Sequence, residues 1–160
     1  MAGTVQVRDV RGAIFEAAAR LIASEGFHGM SMRHLARAAD TSLSNLYNYF
    51  SSKEEILFAL QRQAFETLVA SATEALERVE DPAGRLYVFI SHHLHYFAAH
   101  PEVMRVLVHE AASLPPKQRH TVRRLKDEYF RLGRQILLRL IDQGCETPEP
   151  VADAELDRVT

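Results

Sequence analysis

Residues 31–53 read SMRHLARAADTSLSNLYNYFSSK, and this stretch decides the fold. Its pattern is two short helices joined by a tight turn, followed at once by the capped start of a third. Ser31 can cap the first helix, expected over residues 32–39, where Leu35, Ala36 and Ala39 make an apolar face at helical spacing. Asp40 and Thr41 form the turn. Ser42 can cap the second helix, expected over residues 43–49, from which Leu46 and Phe50 return to the core. Two short helices at a steep angle across a brief turn are the form of a helix-turn-helix. That motif lays its second helix in the DNA major groove.

The side chains suit this use. Between the apolar anchors the second helix offers Ser44, Asn45, Tyr47 and Asn48. An Asn can pair with adenine through its donor and its acceptor together, so Asn45 or Asn48 could read sequence. The hydroxyls of Tyr47 and Tyr49 suit phosphate oxygens. A helix of this size with only a structural role would more often expose Lys and Glu. On these residues alone, a small helical hairpin without a ligand stays open as the alternative.

From about residue 10 to residue 60 the chain resembles the DNA-binding domain of the TetR/AcrR family of bacterial transcriptional regulators. The resemblance rests on Ile14, Ala17, Ala18 and Leu21, then Gly26-Phe27, then Ser31, Leu35-Ala36, Ala39 and Ser42. Its densest block is Leu46-Tyr47-x-Tyr49-Phe50-x-Ser52-Lys53-Glu54. It implies that Ser31, Arg33, Ser42, Leu43, Ser44, Asn45, Tyr47, Asn48, Tyr49 and Lys53 contact a double-stranded DNA operator. Four positions depart from the family habit. Asp40-Thr41 stands at the turn where Gly-Val is frequent, and Asp tolerates the left-handed backbone that Gly would supply. Leu43 occupies a position that is often Lys, and Ser44 one that is often Gly.

Charge and composition agree with a globular regulator. Of 160 residues, 47% are apolar and 25% charged, enough for a core and a solvated surface. The net charge of −2 argues against a generic polyanion binder, which would usually be basic overall. Residues 1–53 hold six Lys/Arg against four acids, whereas the remainder holds thirteen against seventeen, so the basic part carries the motif. One cysteine, Cys145, rules out a disulfide framework within the chain. No apolar run approaches the ~18 residues of a membrane span, and the first residues lack a signal-peptide core. The chain is read as cytoplasmic and not associated with a membrane.

The rest reads as all-α. Helix one is expected over residues 5–24, with Val7, Val10, Ile14, Ala17, Ala18, Leu21 and Ile22 on one face and Gly26 ending it. Phe27 should plug the small core under the helix-turn-helix. Ser52-Lys53-Glu54-Glu55 is a capping box. Lys53 lies in the first turn that follows, where free amides and its charge could hold a phosphate. That long helix should run to about residue 80 through Ile56, Leu60, Ala64, Leu68, Ala72 and Val79. Asp81-Pro82 caps a fifth helix to about residue 99, with Leu86, Phe89, Ile90, His93, Leu94 and Phe97 on one broad face. Pro101 opens a sixth helix, and Ser113-Leu114-Pro115-Pro116 turns into a seventh over residues 117–143, ended by Gly144. Two domains follow: residues 1–52 as an N-terminal three-helix DNA-binding domain, and residues 53–160 as a helical effector-binding and dimerisation bundle.

The resemblance further implies a homodimer and a ligand cavity in the second domain. Leu94-x-Tyr96, His100-Pro101-Glu102, Val106-Leu107, Glu110 and Leu114-Pro115 are similar to the acyl-CoA-responsive, fatty-acid type of regulator. Phe65, Leu68, Phe89, His93, Phe97, Met104, Leu107, Val108 and Tyr129 are the residues assigned to a small apolar effector of the acyl-CoA or lipid-like kind. Family members end with two further helices that build the dimer. Here residues 146–150 read as a linker and Asp153 as a cap before Ala154, Leu156 and Val159, so the bundle is expected to be short at its C-terminus. No cofactor or metal is assigned. His92 and His95, three apart, could share a helix face toward a metal, but no Cys and no H-E-x-x-H pattern joins them. Catalysis finds no support: G-x-S-x-G, phosphate-binding and dinucleotide glycine patterns are missing, and the acid beside Cys145 would raise its thiol pKa. The competing reading is a helical protein-interaction or metal-binding module without specific DNA binding.

Overall fold

The computed structural model describes residues 9–144. Among them lie α1 (Val10–Gly29), α2 (Met32–Ala38), α3 (Leu43–Tyr49), α4 (Lys53–Leu76), α5 (Pro82–Ala99), α6 (Pro101–His109), a 3₁₀ turn (Ala111–Ser113) and α7 (Pro116–Asp142). No strand occurs among the described residues, and the fold is all-α. The expected start of the first helix at residues 5–8, Cys145, the linker at 146–150 and the cap at Asp153 lie outside them.

Short polar side chains set the helix starts. The Asp9 carboxylate accepts from Gly12 N–H at 2.9 Å, so α1 begins at Val10. Ser31, Ser42 and Ser52 each accept from the backbone N–H three residues on, at 3.1, 3.0 and 3.2 Å. Such a cap contributes about 0.5–2 kcal/mol. The reciprocal arm of the capping box lands one residue early. Glu55 Oε2 accepts from the N–H and the hydroxyl of Ser51, both at 2.7 Å, and these bonds hold its pKa below the ordinary carboxylate value. Asp81 caps α5 by accepting from Gly84 N–H at 2.6 Å, with Pro82 in the first turn.

Two helix ends differ from expectation. Gly26 does break α1, at φ +75°, but one more helical turn follows it to Gly29. Helix α4 stops at Leu76 rather than near residue 80. Its ending needs no glycine, because the Arg85 guanidinium donates to the carbonyls of Leu76 and Val79 at 2.8 and 2.7 Å.

One continuous core joins both parts of the chain. It runs from Ile14, Ala17 and Ala18 of α1 through Leu35 and Leu46 to Leu57 and Leu68 of α4, then to Leu107 and Tyr129. Helix α5 is the exception. None of its residues is fully buried, although it packs on α4 and α7. On its broad apolar face Ile90 and Leu94 remain 48% and 62% exposed. Periodicity reports how wide an apolar arc is, whereas coverage depends on the neighbours, and α4 and α7 cover only part of this one.

Candidate functional site

The seven residues of α3 are too few to hold a helix alone. Ser42 caps it, and Leu46 and Phe50 fix it to the core at 0% and 4% exposure. What remains outward is polar: Ser44, Tyr47, Asn48 and Tyr49 are all exposed. Asn45 is half-buried, and its amide donates to Thr41 Oγ1 at 2.8 Å, which orients it against the turn. Asn48 is the freer of the two amides. Leu43 is half-buried and packs on the core, so it secures the helix. Asp40 takes the left-handed conformation the turn requires, at φ +50°. Ser31 and Arg33 are exposed at the start of α2.

Lys53, expected to hold a phosphate, makes its contacts within the protein. Its ammonium donates to the carbonyls of Phe27, Met30 and His28 at 3.2, 3.3 and 3.5 Å. It also lies 4.7 Å from the centre of the Phe27 ring. An ammonium has three donors, and here all three serve the C-terminal turn of α1. The physical reason is local. Beyond the Gly26 kink the last carbonyls of α1 have no helical partner, and a cation at a helix C-terminus stabilises them. Lys53 closes α1 from α4.

The same kink is held from α6. Phe27 N–H donates to Glu110 Oε1 at 3.0 Å, Ser113 Oγ donates to the other oxygen, and Gln61 Nε2 donates to the Glu110 carbonyl at 3.2 Å. Gln61 is fully buried, and its Oε1 has no partner. Sequence reasoning missed this junction. The available signal was a lone Gln inside the apolar stripe of α4, since a buried amide demands a partner.

A groove of about 440 Å³ opens between α5 and α7. It falls in the range of small-molecule sites, about 300–1,000 Å³. Of the residues assigned to the effector its walls include Phe89, His93 and Tyr129, with Leu86, Ile90, Leu94, Phe130, Gly133, Arg134 and Leu137. Gly133 permits the close crossing, because a Cβ there would sit 2.7 Å from Phe89 Cε1. An isolated glycine inside a helical pattern is the sequence sign of such a contact. Other assigned residues lie elsewhere. Phe65, Leu68, Met104 and Leu107 are closed core, filled by neighbouring side chains, and Val108 is 62% exposed on α6. Phe97 stands beside the groove, its ring 4.2 Å from that of His93.

His93 and Tyr129 share a hydrogen bond at 2.9 Å across the groove floor. Burial pushes the Tyr129 phenol up to about 12. Burial, then the nearby His92, lowers the His93 pKa, and burial, then His95, lowers that of His92. His92 Nε2 meets Ser71 Oγ and His95 Nδ1 meets the Ser91 carbonyl, so the two rings are bound to different partners. No three metal-ligating side chains converge among the described residues.

These shifts set a pH response. A histidine whose folded pKa is lowered contributes stability that is fully present above its unfolded pKa of about 6.5 and is lost as pH falls through the folded value. Thermal unfolding should therefore show a lower Tm at pH ~5.5 than at pH ~7.5, and His92→Gln/His93→Gln should flatten that difference. Glu55 titrates below this window, so its contribution does not interfere. A wild-type Tm independent of pH over this range would refute the assignment.

Comparisons with known proteins follow the same geometry. The family model described as bacterial regulatory proteins of the tetR family matches residues 14–60, and the one described as a tetracyclin repressor-like C-terminal domain matches residues 79–156. The solved structure of PfmR, a TetR family transcriptional regulator from Thermus thermophilus, is 35% identical, covers 84% of this chain and 75% of its own, and superposes with a TM-score of 0.76. The transcriptional repressor KstR2 of Mycobacterium tuberculosis is 25% identical over 154 residues, 96% of this chain and 76% of its own length. AibR, solved in complex with isovaleryl coenzyme A and operator DNA, is 25% identical, with 88% and 76% coverage and a TM-score of 0.77.

Proposed function

The chain belongs to the TetR family of bacterial regulatory proteins and is a sequence-specific DNA-binding transcriptional regulator; from that premise we propose that it is a repressor released from a palindromic operator by a small apolar effector of the acyl-CoA or lipid-like kind. In this reading residues 1–52 read the operator, residues 53–160 bind effector and partner, and the protein works as a cytoplasmic homodimer without catalysis. Ser44, Tyr47 and Asn48 supply the base-facing contacts of α3, and Ser31, Arg33, Ser42 and Tyr49 the contacts to the phosphate backbone.

The observation that carries the release step is the bond from Phe27 N–H to Glu110 Oε1 at 3.0 Å. It ties α6 to the reading head across 83 residues of chain. An effector seated between α5 and α7 presses on Tyr129 and Gly133. Helix α7 is joined to Glu110 through the buried Leu114 and the 3₁₀ turn, so a shift of α7 is felt at the α1 kink. The two reading helices of a dimer must match successive major grooves about 34 Å apart. A small rotation of each head ends that match. The complex of AibR with an acyl thioester and operator DNA supports the class of effector.

Selection of bound fragments from random duplex DNA at fixed near-physiological salt tests the operator half. An enriched palindrome is expected, with affinity falling steeply with salt. Enrichment of no sequence by the folded protein would overturn it. Titrating decanoyl-coenzyme A onto the operator complex tests release, and an unchanged operator affinity would reject that step.

A further inference from the structure

A second cleft, of about 240 Å³, lies where α1 of the reading head meets α4, α5 and α6. It shares no residue with the groove between α5 and α7. Its floor is apolar. Leu60 and Ala64 of α4 are buried there, and Phe15 of α1 and Val103 of α6 are half-buried. Tyr96 and His100 close the side toward α6, with ring centres 4.6 Å apart. The rim is polar, with Glu16 of α1 facing Gln63 and Thr67 of α4, all three exposed. Among the described residues these three side chains make no hydrogen bond or ion pair. An apolar floor under a few converging polar groups is the composition of a small-molecule site, and junctions between domains are where such sites occur. The volume is below the usual range of about 300–1,000 Å³, so the occupant is small.

The charge of the lining selects its sign. Glu16 is the one carboxylate in the cleft, and no Lys or Arg joins it. Arg20, one turn further along α1, forms no ion pair with it among the described residues. Arg62, next to Gln63, is engaged by Glu66 at 3.6 Å and by the Phe58 ring. Aromatic faces carry negative potential and attract a cation within about 6 Å of the ring centre. An anion meets repulsion from both Glu16 and the rings. A primary ammonium has three donors, and Glu16, Gln63 and Thr67 offer three acceptors around one rim.

The cleft is also placed to act on the reading head. Phe15 stands 5.6 Å, ring centre to ring centre, from Phe50, the residue that anchors the end of α3. Helix α1 is bonded to α6 at Phe27, and Phe15 lies about 18 Å away at 1.5 Å per residue. A ligand at Phe15 therefore ties down the other end of α1.

We propose that this cleft binds a small primary ammonium with a compact apolar body, its charge on Glu16 and against the rings of Phe15 and Tyr96, and that its occupancy holds α1 to the corner between α5 and α6. The site takes a cation where the groove is read as taking an apolar effector, and the two can be filled separately.

Calorimetric titration of the whole chain with phenethylammonium, phenylacetate and phenethyl alcohol tests the site. Phenethylammonium should bind at least about tenfold tighter than either of the others, because a charge-assisted bond is the stronger kind. Added salt should weaken it. Glu16→Gln keeps the shape of an exposed side chain and should lower its affinity about fivefold. Saturating phenethylammonium should slow hydrogen exchange in α1 and α3 of the wild type, the sign that the head is held. Equal affinities for the three probes, binding of none, or full affinity in Glu16→Gln would overturn the site. Binding with unchanged exchange in α1 and α3 would overturn the hold on the head. Neither readout uses DNA or an acyl thioester, so failure here is distinct from failure of the repressor reading.

Discussion

Phe27→Ala should lower the free energy of unfolding by about 3–5 kcal/mol, the range for removing a fully buried aromatic side chain. Phe27 is 2% exposed and sits directly after the Gly26 kink, where α1 turns toward the reading head. Two effects add. The ring fills the space between α1 and α4, so truncation leaves a cavity as well as lost apolar burial. The ring also lies under the Lys53 ammonium at 4.7 Å, and that cation–π contact disappears with it. Because native domains are stable by only about 5–15 kcal/mol, the variant should be partly unfolded at 37 °C. Urea denaturation is the measurement, and the midpoint should fall with the slope unchanged. A loss below about 1 kcal/mol would mean that the kink repacks around the missing ring, contrary to the close packing of cores.

Lys53→Met should cost stability without changing how operator binding depends on salt. Methionine keeps the length of the stem and removes the three donors, which leaves the carbonyls of Phe27, His28 and Met30 without their cation. A hydrogen bond to a charged group is worth about 1.5–3 kcal/mol, and partial hydration of these carbonyls places the whole change near that figure rather than at three times it. The salt dependence separates the two roles. A lysine on phosphate contributes a slope of about −0.9 in log K against log salt. If Lys53 serves α1, the slope of the folded variant equals that of the wild type, while Arg33→Ala reduces it by about one. A slope reduced in Lys53→Met would return this residue to the DNA contact assigned to it by resemblance.

Much of the site was legible because it is local. Serine caps at Ser31, Ser42 and Ser52 act within three residues, and Asp40 takes its positive φ from its own neighbours in the turn. An outward polar set on α3 follows once Leu46 and Phe50 point inward. The contacts of Lys53 to the end of α1 were not legible, because these partners are 23 to 26 residues away in sequence, beyond any window of periodicity. Which of the residues assigned to the effector line the groove was not legible for a related reason. Phe65, Leu68, Met104 and Leu107 have the same hydrophobicity as Phe89 and Tyr129, and only the space left between helices separates lining from core.

The sequence by itself determined most helix boundaries, the helix-turn-helix and the family, because caps, turns and 3.6-residue periodicity are short-range consequences of side-chain chemistry. It also determined that α3 would present hydroxyls and amides rather than paired charges. Only the tertiary structure decided which apolar faces meet. It put α5 at the edge, opened the groove where Gly133 lets α5 approach α7, and brought Glu110 and Gln61 to the α1 kink. The physical reason is that burial and buried hydrogen bonds are properties of pairs of elements, summed over the whole fold, and no single stretch of chain contains its partner.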